Sequence, residues 1–210
     1  MAGELTALLA DLKEDEAITF TRNGLEKGDD PMTIMGDARE GMKIVGDRFA
    51  EGTYFIPDLI YSGEILKEVS EILEPHLKPG TGEQKTIGKV VFGTVQGDIH
   101  DIGKDLVVFM LEINGFEVID LGIDVPVNDF VEAVKESGAN IVGLSGFLTL
   151  AFDAMKETIS AFDEAGMRDQ VKIMIGGGQI DEQVKEYTGA DAFGVDAMEA
   201  VSLASNWIGG

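Results

Sequence analysis

Leu5, Leu8, Leu9 and Leu12 recur three and four positions apart, with Glu4 and Asp11 on the other side, a spacing that predicts a short amphipathic helix. A second helix, near residues 15–26, ends at Gly28. Pro31 suits the opening turn of a third, in which Met32, Met35, Met42, Val45 and Phe49 make an apolar face before Gly52 stops it. Pro57 opens a fourth, where Leu59, Ile60, Ile65, Leu66, Val69, Ile72 and Leu73 form a broad buried stripe that Pro75 and Pro79 close. Four helices with short joints predict a small bundle. Its methionines read as core. Tyr54 and Phe55 either staple a helix start or face a second domain, and His76, beside Pro75, reads as solvated structure.

The segment GTGEQKTIG, between Pro79 and Lys89, is polar, rich in glycine and poor in anything to bury, which marks a linker. The expected boundary lies near residue 83, giving a helical domain over 1–83 and a second domain over 84–210. Beyond it, short β-branched runs alternate with helical stretches: KVVFGTV, EVIDLG, NIVGLSGF, VKIMIGGG and AFGV. This βαβ pattern, with right-handed crossovers, predicts an α/β fold: a doubly wound, flavodoxin-like parallel sheet of five strands that takes its ligands at the carboxyl edge.

Composition narrows the function. The 210 residues are 44% hydrophobic, enough for one generous core or two small ones. Thirty-nine Asp and Glu against 16 Lys and Arg leave a formal charge of −23, which repels phosphate backbones and anionic lipid and argues against nucleic acid or a membrane as partner. No apolar run is long enough to span a bilayer and the first residues lack a signal-peptide pattern, so a cytoplasmic protein is expected. With no cysteine and only two histidines, the chain cannot build a thiolate or multi-histidine transition-metal site. A macrocycle that brings its own metal needs a single axial ligand.

The densest candidate chemistry is QGDIHDIGKD, which follows the first strand and opens a helix with Leu106, Phe109, Met110 and Ile113 on its apolar face. Ser145 lies near the end of the third strand, Gly176, Gly177 and Gly178 end the fourth, and Val195 and Asp196 follow the fifth. Parallel topology brings all four segments to one edge. Asp98, two positions before His100, can accept from one ring nitrogen and so fix the tautomer that presents the other nitrogen's lone pair to a metal. Gly97 and Gly103 permit a tight turn and the close approach of a bulky planar ligand, and the triple glycine clears space for an inserted group. Blander roles fit the same residues one by one: His100 as a surface or capping histidine, Asp98 or Asp101 as an N-cap, Ser145 as a satisfied strand-end hydroxyl.

Taken together, Asp98-Ile99-His100-Asp101-Ile102-Gly103 resembles the DxHxxG signature of the cobalamin-binding domains of methionine synthase and corrinoid methyl-transfer proteins. The family's SxL and GG elements find counterparts at matching distances, with 41 residues between Gly103 and Ser145 and 28 between Phe147 and Gly176. RFAEGTYFIPDLIYSGEILK is similar to the helical cap of the methyl-transferring members, and size and layout resemble the small corrinoid proteins of three-component methyltransferase systems.

The resemblance implies a cobalamin or related corrinoid as cofactor and His100 as lower ligand to its cobalt. Asp98 would hold the proton His100 takes up when it leaves the metal. The implied binding surface comprises Gly97, Asp98, His100, Asp101, Ile102, Gly103, Ser145, Phe147, Leu148, Thr149, Gly176, Gly177, Gly178, Val195 and Asp196, with the nucleotide tail passing Ser145, Thr149, Gly176 and Gly177. Cobalt(I) would accept a methyl group from a substrate-specific methyltransferase and donate it to a second methyltransferase acting on a pterin or thiol. A reductive activation protein would be a further partner, and the chain itself would carry rather than catalyse. Alternatives are the cobalamin-binding subunit of a mutase, which the cap argues against, and a cobalamin sensor or storage protein. Two departures stand out: Phe147 replaces the leucine of SxL, and Ala151 replaces the serine that extends the Asp–His relay in methionine synthase. The relay here therefore ends at Asp98 or passes to water or Thr149.

Overall fold

The computed structural model describes residues 3–76 and 86–209. The chain divides into two units, Met1–Lys85 and Thr86–Gly210. The linker expected around residue 83 lies outside the described residues.

The first unit is the expected four-helix bundle: α1 Glu4–Ala10, α2 Glu14–Lys27, α3 Pro31–Ala50 and α4 Ile56–Leu73, with one 3-10 turn, Glu74–His76, after the last. The punctuation works as the residue types suggest. Gly28 ends α2 in the left-handed conformation at φ 86°, and Asp30 caps α3, its carboxylate accepting from the Thr33 N–H at 3.1 Å with Pro31 in the first turn. Leu5, Leu9, Ala17, Ile34, Met35, Met42, Val45, Leu59, Ile65, Val69 and Leu73 form the core. Each large apolar side chain buried there contributes about 1.5–3 kcal/mol.

Several expected positions differ. Leu12 lies outside α1, at φ 57°, because the helix already stops at Ala10. Met32 and Ile60 are exposed. Ile60 stands one residue, about 100°, round the helix from Leu59, which is enough to leave the buried stripe. Tyr54 closes α1 instead of stapling α4. Its hydroxyl donates to the Ala10 carbonyl at 2.8 Å, and Arg48 reaches the same carbonyl while pairing with Asp11 at 3.0 Å.

In the second unit, β1 Lys89–Thr94, β2 Glu117–Asp120, β3 Ile141–Ser145, β4 Lys172–Gly176 and β5 Ala192–Gly194 form an all-parallel sheet in the order β2-β1-β3-β4-β5. The helices are α5 Ile102–Ile113, α6 Val127–Ser137, α7 Ala151–Glu164, α8 Glu182–Thr188 and α9 Ala197–Gly209. Helices α5 and α9 cover one face, and α6, α7 and α8 the other. Strand alternation serves the two layers: Val91, Val142, Leu144, Ile173 and Ile175 join Phe130, Met155, Ile159 and Phe162 in one cluster, while Val90, Phe92, Ile141 and Met174 point the other way. Helix α5 buries Val108, Met110 and Leu111, whereas Leu106, Phe109 and Ile113 are only half-buried. Its Lys104 is buried and ion-paired to Asp105 at 2.6 Å and Asp120 at 2.5 Å. Burial works against the ammonium, but the two carboxylates outweigh it and hold it above its ordinary pKa. Among the described residues no helix is long and apolar enough to cross a membrane.

Gly143 lies in the central strand beneath the Phe92 ring, where a β-carbon would stand 2.1 Å from the ring's Cε2. Phe92 is itself buried. Gly143→Ala should therefore destabilise the second unit by about 1–3 kcal/mol through overpacking, read as a lowered midpoint in chemical denaturation, and Phe92→Leu in the same chain should recover part of the loss.

Candidate functional site

Strand register builds the site's floor. Thr94, Ser145, Gly176 and Gly194 stand in one row across β1, β3, β4 and β5, so the loops that follow them leave the sheet at the same edge. From β1 the chain turns through α5 towards β2, and from β3 it turns the opposite way through α7 towards β4. The two loops diverge and open a crevice at this switch point.

Asp98 stands at its centre, 1% exposed. Its Oδ1 accepts from the His100 N–H at 3.0 Å and meets His100 Nδ1 at 2.7 Å. Its Oδ2 accepts from the N–H groups of Phe147 at 2.7 Å and Leu148 at 2.9 Å. Burial by itself pushes the carboxyl up. The donors from Leu148, His100 and Phe147 outweigh it and bring it down to about 2. An ionised carboxylate can only accept, so in the neutral imidazole Nδ1 carries the proton and Nε2 the lone pair. The His100 side chain is 48% exposed, and Nε2 has no hydrogen-bond partner among the described residues. The Phe147 ring leans on the imidazole, with centroids 4.6 Å apart and planes tilted by 34°. The relay left open in the sequence thus ends on two backbone amides. Among the described residues Thr149 makes no bond to Asp98, and Ala151 is buried in the first turn of α7.

Supports that the sequence reading missed hold this loop from behind. Thr94 Oγ1 donates to the His100 carbonyl at 3.2 Å. Asp124 accepts from the Gly97 N–H at 2.7 Å and donates its own N–H to the Asp98 carbonyl at 3.0 Å. Asp124 sits at φ 52°, a conformation Asp tolerates better than most residues, and the Gly122-Ile123-Asp124 run ahead of Pro126 was the available signal.

The remaining site residues divide by what they touch. Gly97, at φ 83°, makes the turn into the loop, and a β-carbon on Gly97 or Gly103 would meet nothing within 4 Å, which leaves both open to a large ligand. Exposed apolar side chains stand on the segments that leave this edge of the sheet: Ile99 and Ile102 after β1, Ile123 after β2, Phe147, Leu148 and Leu150 after β3, and Val195 after β5. Ser145 is half-buried at the strand end, its hydroxyl unpartnered among the described residues. Protein packs against two of the three glycines: a β-carbon on Gly177 would lie 1.8 Å from the Gly146 carbonyl oxygen and one on Gly178 2.4 Å from the Phe147 ring, whereas one on Gly176 would come no nearer than 3.6 Å to the Gly194 carbonyl oxygen. Asp196 caps α9, accepting from the Glu199 N–H at 2.8 Å. Asp101 precedes α5 without a side-chain cap bond. Among the described residues no three metal-binding side chains gather.

A carboxylate whose pKa falls on folding stabilises the fold above the unfolded value, near 3.9, and loses that contribution as pH drops through the folded one. Asp98→Asn should weaken the apoprotein by about 2 kcal/mol at pH 7. The gap to wild type should close between pH 4 and pH 2 in denaturant titrations.

Comparison with known proteins agrees with this geometry. A B12 binding domain family matches residues 88–202 and a second B12 binding domain family matches residues 1–74. A trimethylamine corrinoid protein of Methanosarcina acetivorans is 37% identical over 195 residues, 92% of this chain and 90% of that one. A solved cobalamin-binding protein from Desulfitobacterium hafniense is 41% identical, with a TM-score of 0.83 over 99% of this chain and 98% of that one. The methanol:cobalamin methyltransferase complex MtaBC of Methanosarcina barkeri contains a chain that is 28% identical, with a TM-score of 0.81 over 98% of this chain and 78% of that one. With both units matched and a parallel sheet that ends in the DxHxxG loop, the chain belongs to the B12-binding corrinoid proteins and its cofactor is a cobalamin-type corrinoid.

Proposed function

We propose that the chain is a methyl carrier in which His100 Nε2 is the protein's axial ligand to the corrinoid cobalt. The observation that carries this reading is the Asp98–His100 pair: Nδ1 is tethered at 2.7 Å to a buried, ionised carboxylate, and the half-exposed ring leaves Nε2 without a hydrogen-bond partner among the described residues. The bound corrinoid supplies a cobalt centre that takes up and gives up a methyl group. The chain's own residues hold and orient. Ile99, Ile102, Phe147 and Val195 offer apolar contact, the bare α-carbons of Gly97 and Gly103 allow close approach, and the hydroxyls of Ser145 and Thr149 offer hydrogen bonds to the nucleotide tail. On leaving the metal, His100 would take a proton at Nε2, and Asp98 would hold the imidazolium as an ion pair.

Transfer then needs partners on both sides: a substrate-specific methyltransferase that loads the chain and an acceptor methyltransferase that unloads it to a pterin or a thiol. A reductive activation protein would restore the lowest oxidation state. The names of the relatives support this reading, since one serves trimethylamine and another is solved in a methanol methyltransferase complex. A small methylated substrate of those kinds is the expected donor.

Apoprotein labelled with ¹⁵N-histidine, reconstituted with hydroxocobalamin and reduced by one electron, should show coupling to a ¹⁵N nucleus in its paramagnetic resonance spectrum. His100→Gly should abolish that signal while leaving the second unit folded; persistence of the signal would remove His100 as ligand. For the carrier role, loaded and reduced chain should take up an isotope-labelled methyl group from methyl iodide. Adding the thiol methyltransferase of a trimethylamine system should discharge it, and full retention of label would count against the carrier reading.

A further inference from the structure

Building on the ligand role proposed for His100, we propose that Phe147 is a positioning residue for its imidazole and that Gly178 is the seat on which Phe147 rests. Three contacts close a circuit. Asp98 Oδ1 holds the imidazole through Nδ1, Asp98 Oδ2 holds the backbone N–H of Phe147, and the Phe147 ring returns to the imidazole at 4.6 Å between centroids. The hydrogen bond at Nδ1 fixes one point of the histidine ring and leaves it free to turn about the line to Asp98. A second ring against its face removes that freedom.

Phe147 is 50% exposed and would itself swing freely without a seat. It has one. A β-carbon on Gly178 would stand 2.4 Å from Cε2 and 2.7 Å from Cδ2 of the Phe147 ring, so the ring lies on a bare α-carbon. Gly178 does not occupy the left-handed region, in contrast with Gly177 at φ 145°, so its backbone makes no demand for glycine. The ring above it does. The direction of the imidazole is therefore coupled to the end of β4, and a movement of the Gly177–Gly178 segment is carried through Phe147 to His100. Where the family pattern has leucine, this chain has a flat ring able to reach both.

The chain has two histidines, so the carbon-bound imidazole protons of His100 can be resolved in the NMR spectrum of the full apoprotein against those of His76. In wild type they should show the ring-current displacement of a neighbouring phenyl ring, which Phe147→Leu should remove. Gly178→Ala, by pushing the ring off its seat, should shift them as well, but should add no shift in a Phe147→Leu background. In the corrinoid-loaded, one-electron-reduced chain, Phe147→Ala and Gly178→Ala should each lower the ratio of nitrogen-ligated to unligated cobalt about 2- to 10-fold, the range an aromatic contact carries, and Phe147→Tyr should retain it. His100 signals that ignore Gly178→Ala, or a ligated fraction that ignores Phe147→Ala, would overturn the proposal. If loaded wild type shows no nitrogen coupling at all, the ligand role of His100 fails, and the apoprotein spectra still decide whether Phe147 and Gly178 position it.

Discussion

A carboxylate withdrawn from water stays ionised only if donors replace the solvent it has lost, and the arrangement around Asp98 follows from meeting that requirement. Four donors converge on it: two from His100, one each from Phe147 and Leu148. Because two belong to the loop after β1 and two to the loop after β3, the charge binds the two sides of the switch-point crevice together. Because it is ionised, it also decides the histidine tautomer. Removing the carboxylate would loosen the crevice and free the imidazole at once, so the fold and the chemistry of this edge share one interaction.

The neighbouring residues divide the work of keeping that geometry. Asp124 holds the loop at Gly97, Thr94 holds the His100 carbonyl, and the buried Lys104 ties the first turn of α5 to the end of β2 through Asp120. Gly177 lets the strand end pass against the Gly146 carbonyl, and Gly178 receives the Phe147 ring. On the outer side of the Asp98 pair the imidazole is half-exposed, with Nε2 unpartnered among the described residues. That nitrogen is the donor proposed above for the corrinoid cobalt.

Much of this was written into the sequence in local form. Helices were legible from apolar residues at 3.6-residue spacing and from Gly28 and Pro31 at their ends. Strands were legible from short β-branched runs, because burial and turn chemistry act over a few residues. Parallel topology then placed His100, Ser145 and the glycine tract on one edge, and the spacing of those three elements carried the resemblance to cobalamin-binding proteins. Ile60 shows where such reading fails: its hydrophobicity is the same as that of Ile65, but only the packing of α4 decides which of them meets the core.

The sequence by itself determined the two-part organisation, the order of elements and the Asp98–His100 pair, since all depend on neighbours close along the chain. Only the tertiary structure decided what completes the pair. The amides that satisfy Asp98 come from residues 49 and 50 positions away, and the ring that leans on His100 is seated on a glycine from a different strand end. Hydrogen bonds and ring contacts act over a few ångströms of space, and no local pattern of residues reports which distant backbone the fold will bring within that reach.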